Sequence, residues 1–405
     1  MNKMINIDRF IKEYITGRNE SLFSKDLLIH HDELILEIKG KKALVIGGAG
    51  TIGSSFIKAL LHYSPERLIV IDINENGLTE LTRDLRSTFK LIVPDNYKSY
   101  PVNFGDPVFE NILKEHGPFD IIANFAAHKH VRSEKDHHSV SALLENNVIK
   151  AEKLLRILTK TPPSHFFCVS TDKAANPVNI MGASKKIMEE VIMAYSMVFP
   201  ITTARFANVA FSNGSLPDGF VQRLLKHQPF SAPMDVKRYF VSPEESGQIC
   251  LLACILGKSG EIFFPKLEEH QMMTFSDIAV KFLESLGFVP QICVSEEEAR
   301  ENAAKLSPDS RTYPVYFFKS DTSGEKAFEE FFIPGEDIDS KSYSSLGVIK
   351  NAPKKSLEEI EKTVSLLEIL INQPGTTKET IVHALSQLVP TFEHIETGKN
   401  LDQKM

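Results

Sequence analysis

Short, almost wholly apolar runs recur through the first half of the chain, each followed by polar or turn-forming residues. Ala43-Leu44-Val45-Ile46 closes on glycines and Arg67-Leu68-Ile69-Val70-Ile71 on Asp72. Asp120-Ile121-Ile122-Ala123 is a third run, and Phe166-Phe167-Cys168-Val169 ends at Ser170-Thr171-Asp172-Lys173. Runs of this length without polar alternation read as strands buried on both faces. Helical stretches separate them, among them Ser54 to His62 and, after the last run, Lys185 to Met197. The alternation predicts an α/β fold, a doubly wound parallel sheet covered by helices on both faces.

Past Arg205 the rhythm weakens. Loops rich in Gly, Pro and Ser (Ser212 to Gly219, Phe230 to Asp235) break up shorter elements until about residue 345. The division expected is a helical N-terminal extension over 1–40, a sheet domain over 41–205 and a smaller, partly interleaved substrate region over 206–348. A helical C-terminal extension over 349–405 completes it. In the first of these Phe10, Ile11, Tyr14 and Ile15 stand at helical spacing; in the last, Ser356 to Asn372 and Thr377 to Leu388 read as helices around Pro374-Gly375. There is no internal repeat.

Composition narrows the class. The 405 residues are 42% hydrophobic and 24% charged, with a net charge of −7. That balance leaves no electrostatic footprint for nucleic acid or an anionic membrane. No apolar run is long enough to span a bilayer, and the start of the chain lacks a signal-peptide core, so a cytoplasmic protein is expected. Of the four cysteines, Cys168, Cys250 and Cys254 lie in apolar segments and read as buried thiols; no metal site is expected.

Gly47-Gly48-Ala49-Gly50-Thr51-Ile52-Gly53 joins the first strand to the first helix, with Gly47, Gly50 and Gly53 spaced G-x-x-G-x-x-G. Glycine permits a tight turn there and lets a pyrophosphate approach the N–H groups of Thr51, Ile52 and Gly53 at the helix start. Strand, glycine turn, helix and a following strand ending in an acid form the context of a Rossmann-like dinucleotide site. Asp72 would accept the ribose hydroxyls and repel a 2′-phosphate, so NAD is expected rather than NADP. Asp106 sits at the next plausible strand end and is a candidate contact to adenine.

Ser170 to Lys173 brings a hydroxyl, an acid and an amine to a strand's C-terminal end, and Met181-Gly182-Ala183-Ser184-Lys185 follows. Open α/β sheets bind ligands at such ends. Thr171, Asp172, Lys173 and Lys185 are therefore the candidate catalytic group. Met181 can carry no proton.

With these pieces assembled, the chain resembles the extended short-chain dehydrogenase/reductases. More narrowly, it resembles the polysaccharide-biosynthesis nucleotide-sugar 4,6-dehydratases that act on UDP-N-acetylglucosamine. The matching segments include Gly47 to Gly53, Asn124 to Val131, Asn146-Asn147-Val148, Ser170 to Pro177 and Met181 to Lys185. Arg205 to Val209, Arg238-Tyr239-Phe240 and Gly324 to Glu330 continue the series. In short-chain dehydrogenases the position four before the active-site lysine is normally a tyrosine that serves as base; here it is Met181. That replacement marks a branch that retains configuration at C5, many of whose members are membrane-anchored, and this chain would be a soluble relative. Two departures stand out: Thr322-Ser323 replaces the usual Arg-Pro before Gly-Glu-Lys, and Pro265-Lys266-Leu267 replaces small and acidic residues.

The resemblance implies oxidation at C4 of a UDP-sugar, loss of water across C5 and C6, and reduction at C6, with NAD returned to its starting state. It implies Asp172 as acid at C6, Lys173 as base at C5, Thr171 at O4 and Lys185 at the nicotinamide ribose. Separate tasks for Asp172 and Lys173, rather than a tight ion pair, are expected. It adds Ala126 to the cofactor contacts, and Lys129, His130, Asn208, Arg238 and Glu325 as substrate-binding candidates, with Arg238 suited to a diphosphate. A homo-oligomer is expected by analogy. Two alternatives stay open: a UDP-sugar 4-epimerase, and a non-catalytic NAD-binding sensor or scaffold.

Overall fold

A computed structural model describes residues 5–130, 134–321, 323–326 and 328–397. Val131, Thr322 and Ala327, which belong to segments carrying the resemblance, lie outside the described residues.

The apolar runs form the centre of a nine-stranded sheet. Its strands β1 (Lys42–Ile46), β2 (Arg67–Asp72), β3 (Asn96–Pro101), β4 (Ile121–Asn124), β5 (His165–Val169) and β6 (Ile201–Ala204) are parallel, in the order β3-β2-β1-β4-β5-β6. Ile262–Pro265 extends the parallel set beside β6, and Leu346–Ile349 and Ile338–Asp339 close that edge antiparallel. All four residues of β4 and of β6 are buried; for β4 its unbroken apolar run predicts this. Between β1 and β4 the winding reverses direction, and the carboxyl ends of the central strands open into the crevice that results.

Val289–Cys293, Thr312–Phe318 and Phe230–Pro233 form a smaller parallel sheet. Its own core gathers Phe220, Phe230, Phe282 and Tyr313, and takes in Phe10, Ile11 and Ile15 from the N-terminal helical segment. Tyr14 faces outward at 40% exposure and stacks on Phe10. Arg18 ties this segment to the sheet domain through a two-pronged ion pair with Glu245, both contacts at 2.8 Å.

The helix Ile180–Tyr195 is buried at every position except Lys186 and Glu190. It reaches that state because the helices Leu357–Asn372 and Lys378–Leu388 pack against it. The surface of that flanking helix is thus covered by the chain itself. All four cysteines are free and buried. Among the described residues no helix is long and apolar enough to cross a membrane, and no cluster of His, Cys, Asp or Glu could hold a metal ion.

Candidate active site

The glycine turn works by close approach. Gly47 has φ +76°, and a Cβ there would lie 2.5 Å from the backbone nitrogen of Ala126. At Gly53 a Cβ would fall 2.3 Å from the Gly47 carbonyl oxygen. Side chains at either position would fill the cradle. Gly50 caps the helix Thr51–Leu61 without a side chain, so the first helical N–H groups face the cleft. That cleft, about 210 Å³, is lined by Gly47, Gly50, Thr51, Ile52, Gly53, Asp72 and Ala126, with Val102, Asn103 and Phe104 at its far end. Asp72 holds the turn: its carboxylate accepts from the N–H of Ala49 and of Asn74, both at 2.9 Å. The donors, the acid and the side-chain-free cradle fit a dinucleotide. Asp106 is not among the lining residues; it precedes the helix Pro107–His116.

At the end of β5, Thr171 Oγ1 donates to Asp172 Oδ1 at 2.8 Å, and Lys173 Nζ lies 3.2 Å from the same oxygen. This corrects the expectation that the two residues stand apart. Asp172 and Lys173 form an ion pair, because the site is nearly closed to water and contains a further carboxylate. Asp172 is 3% exposed and Glu329 5%. Lys173 Nζ stands 3.6 Å from Glu329, and Arg238 Nη2 stands 3.9 Å from Glu329 and 3.8 Å from Glu325. Burial works against the Lys173 ammonium, but Asp172 and Glu329 outweigh it and hold its pKa above the ordinary lysine value. Burial, reinforced by Asp172, pushes the Glu329 carboxyl upward. In the sequence Glu329 is only one member of the segment Gly324 to Glu330; its place in the site needs the fold, which brings residue 329 back to the end of β5.

Lys185 is buried, and its Nζ donates to the Val169 carbonyl at 3.1 Å; burial lowers its pKa. Met181, one helical turn earlier, is 3% exposed. Both sit on a helix that begins at Ile180, earlier than the sequence suggests, because two caps start it. Asn179 Oδ1 accepts from Gly182 at 2.7 Å. The Glu134 carboxylate, from the loop after β4, accepts from the N–H of Ile180 and Met181 at 3.0 and 2.9 Å. Sequence reasoning misses Glu134, since nothing local marks a cap that arrives from so far back in the chain.

Burial raises Glu134 to about 7 against its two backbone donors, with Lys378 and Glu396 as the charged groups nearby. A carboxyl raised on folding contributes stability that is full below the ordinary carboxyl value and is lost as pH rises through about 7. Glu134→Gln is therefore expected to flatten that part of the pH profile of thermal unfolding. Identical slopes in the two proteins would contradict it.

The remaining candidates lie around this group. Lys129 Nζ donates to the Asn213 carbonyl at 2.9 Å, and Thr51 Oγ1 accepts from the Asn213 N–H at 2.9 Å. The His130 ring lies against Gly214. Lys129 and His130 thus meet the 213–214 loop above the cofactor cleft. Asn208 donates its N–H to the Tyr239 carbonyl at 3.1 Å, adjoining the buried Arg238. Arg238 Nη1 donates to the carbonyls of Lys237 and Lys326, and Glu325 accepts from Ser320.

A family model described as polysaccharide biosynthesis protein matches residues 43–351. The chain belongs to that family. An uncharacterized membrane protein of Methanocaldococcus jannaschii is 27% identical over 302 residues, 73% of this chain and 86% of the relative. A probable polysaccharide biosynthesis protein of Bacillus subtilis, EpsC, is 26% identical over 78% of this chain, which spans 51% of that protein's length. Relatives with named reactions fall on both sides of one question. An inverting UDP-N-acetylglucosamine 4,6-dehydratase of Campylobacter jejuni and a UDP-glucose 4-epimerase of Rickettsia bellii each align with 56% of this chain, at 26% and 27% identity, covering 67% and 66% of their own lengths. In fold, the chain is similar to Pen from Bacillus thuringiensis (TM-score 0.63, 18% identity, 82% of this chain and 99% of that one). It is also similar to a Bacillus anthracis dTDP-glucose 4,6-dehydratase solved with NAD (TM-score 0.52, 17% identity, 81% and 96%).

Proposed function

We propose that the chain is an NAD-dependent nucleotide-sugar 4,6-dehydratase that converts UDP-N-acetylglucosamine to the 4-keto-6-deoxy sugar, with C5 retained, for glycan synthesis. The observation that carries this is the pairing of Met181 with Asp172-Lys173. The position one turn before Lys185 has no ionisable group, while an acid and an amine with a mobile proton stand at the end of β5. An epimerase needs a base for the C4 hydroxyl but has no use for a second acid–base pair; elimination across C5 and C6 does.

NAD, held by the Gly47–Gly53 turn and Asp72, supplies a reversible oxidant for C4. The residues of the chain do the rest. Lys185 would donate to the nicotinamide ribose, where its charge would favour a deprotonated neighbour, and Thr171 would orient O4. Arg238 takes the diphosphate, releasing Glu325 and Glu329 from its guanidinium. Oxidation at C4 frees the O4 proton to water. Elimination then removes a proton from C5 and delivers another to the departing C6 oxygen. C5 regains its proton as C6 is reduced, and the C6 donor is recharged from water. The ion pair stores the proton for C6 on Lys173, with Asp172 as the acceptor. That reverses the assignment implied by resemblance: Lys173 serves C6 and Asp172 serves C5.

The test is incubation with UDP-N-acetylglucosamine in D₂O, followed by NMR and mass spectrometry. Loss of one water, deuterium at C5 and a new C6 methyl are expected, and in a parallel reaction in H₂O a nuclear Overhauser contact between the axial H3 and H5 reports retention. Unchanged mass with inverted C4 would establish the epimerase instead. Unchanged sugar in the presence of bound NAD would leave the sensor.

A further inference from the structure

The family match ends at residue 351, yet the chain continues through two helices and returns to the candidate site. Phe392 is the last of these residues to join the core. Beyond it, residues 393–397 run between two loops and bond to both through their backbone. On one side Glu393 and Ile395 donate their N–H groups to the carbonyls of Pro177 and Val178, at 3.1 and 3.0 Å. On the other, Gly324 donates its N–H to the Ile395 carbonyl at 2.8 Å, and Thr397 Oγ1 donates to the Asp321 carbonyl at 2.8 Å. Lys378 Nζ fixes Glu396 at 2.7 Å.

The loops so joined are the two that carry the candidate chemistry. The first runs from Thr171-Asp172-Lys173 to Asn179, the cap of the Met181 helix. The second leads into Glu325 and Glu329, the carboxylates beside Arg238 and Lys173. They touch directly through Asn179 Nδ2 to the Gly324 carbonyl, 2.8 Å, and Asn176 Nδ2 to Glu330, 2.9 Å. Among the described residues neither loop has a strand partner of its own at these positions, so the tail satisfies backbone groups that would otherwise need water. Except for His394, half-buried with its ring against Phe392, its side chains are exposed, Ile395 at 39%, so it adds little to the core. Backbone pairing without apolar burial suits an element that holds spacing rather than one that holds the fold together.

We propose that residues 393–397 are a positioning element of the active site: inserted between the two loops, they set the distance of Asp172-Lys173 from Arg238 and Glu329. What that spacing serves rests on the dehydratase reading; that the tail sets it does not.

Two proteins test the proposal. Full-length Ile395→Pro removes the N–H given to Val178, and a chain ending at Phe392 removes the whole insertion while keeping the buried ring. Hydrogen exchange, read by mass spectrometry, is followed at 171–175 and 325–330, segments that make none of the tail bonds described. Exchange there is expected to quicken at least about tenfold in both proteins, with 42–46 and 201–204 unchanged. With UDP-N-acetylglucosamine, KM should rise about tenfold while NAD affinity stays within about twofold. Unaltered exchange in both segments overturns the proposal, and so does an equal quickening in the strands, which would mean general loosening. If the unmodified protein ignores the sugar, the dehydratase reading fails and the exchange result still decides the role of the tail.

Discussion

Arg205→Met is expected to cost the fold about 3–5 kcal/mol at neutral pH. Arg205 is completely buried, at the end of β6. Its Nε and Nη2 each meet a different oxygen of Glu189 at 2.8 Å, Nη2 also meets Glu336 at 3.1 Å, and Nη1 donates to the Phe331 carbonyl at 3.0 Å. Methionine fills much of the volume but strands the buried Glu189 carboxylate, leaving Lys186 at 3.7 Å as its nearest cation. Removing one partner of a buried pair is costly chiefly because the other charge stays behind, desolvated and unpaired.

The sign of the pH dependence separates that account from simple loss of packing. Burial alone would raise the Glu189 pKa; Arg205 overrides it and holds the group below the ordinary carboxyl value. In the unmodified protein Glu189 therefore adds stability above that ordinary value, and the addition is lost as pH falls through the depressed one. Without Arg205 burial prevails, the folded pKa moves above the unfolded one, and stability falls as pH rises. The gap between the two proteins in urea unfolding should thus narrow from neutral pH toward about pH 5. A gap that is constant with pH would show that the ion cluster is not the cause. The cluster also bears on the site. Glu189 accepts from Ser170 Oγ at 2.6 Å, so it links the end of β5 to the helix of Met181 and Lys185.

What the sequence discloses, and what it hides, follows the range of the forces involved. Strands β1, β2, β4 and β5 are legible because a short apolar run bounded by breakers is a local signal. β3, Asn-Tyr-Lys-Ser-Tyr-Pro, gives none: it is an edge strand with partly exposed positions and polar side chains. The last two helices are legible to within a residue because their caps are local. Ser356 closes a capping box with Glu359, and Thr377 accepts from Thr380. The helix from Ile180 is misread at its start: Asn179 is a local cap, but the second cap, Glu134, comes from another loop. The same holds in the site. The glycine turn and Asp72 announce themselves within one strand–helix–strand unit. The Asp172–Lys173–Glu329–Arg238 cluster depends on loops far apart in the chain, and a pairwise reading of Asp172 and Lys173 leaves out the carboxylate and the guanidinium that decide where the proton resides.

That proton can be followed directly. Asp172→Asn and Lys173→Met are each expected to lower turnover of UDP-N-acetylglucosamine by about 10²–10⁴-fold, the usual reach of a positioned acid or base. NAD binding should not change, since neither residue lines the cofactor cleft. The two variants differ in where they stop. With Asp172 as the C5 base, Asp172→Asn should leave protium at C5 of all recovered sugar in D₂O. With Lys173 as the acid at C6, Lys173→Met should still admit deuterium at C5 of the unconverted sugar, because deprotonation precedes the blocked departure of water. The opposite pattern would restore the roles implied by resemblance. Equal loss of exchange in both would mean that the ion pair itself, held in place by Glu329, is the base. Glu329→Gln settles that case. If Glu329 only shapes the pair, the variant should lower the Lys173 pKa and shift the pH profile of kcat downward while deuterium still enters C5, since a carboxylate that held the ammonium charged has been removed.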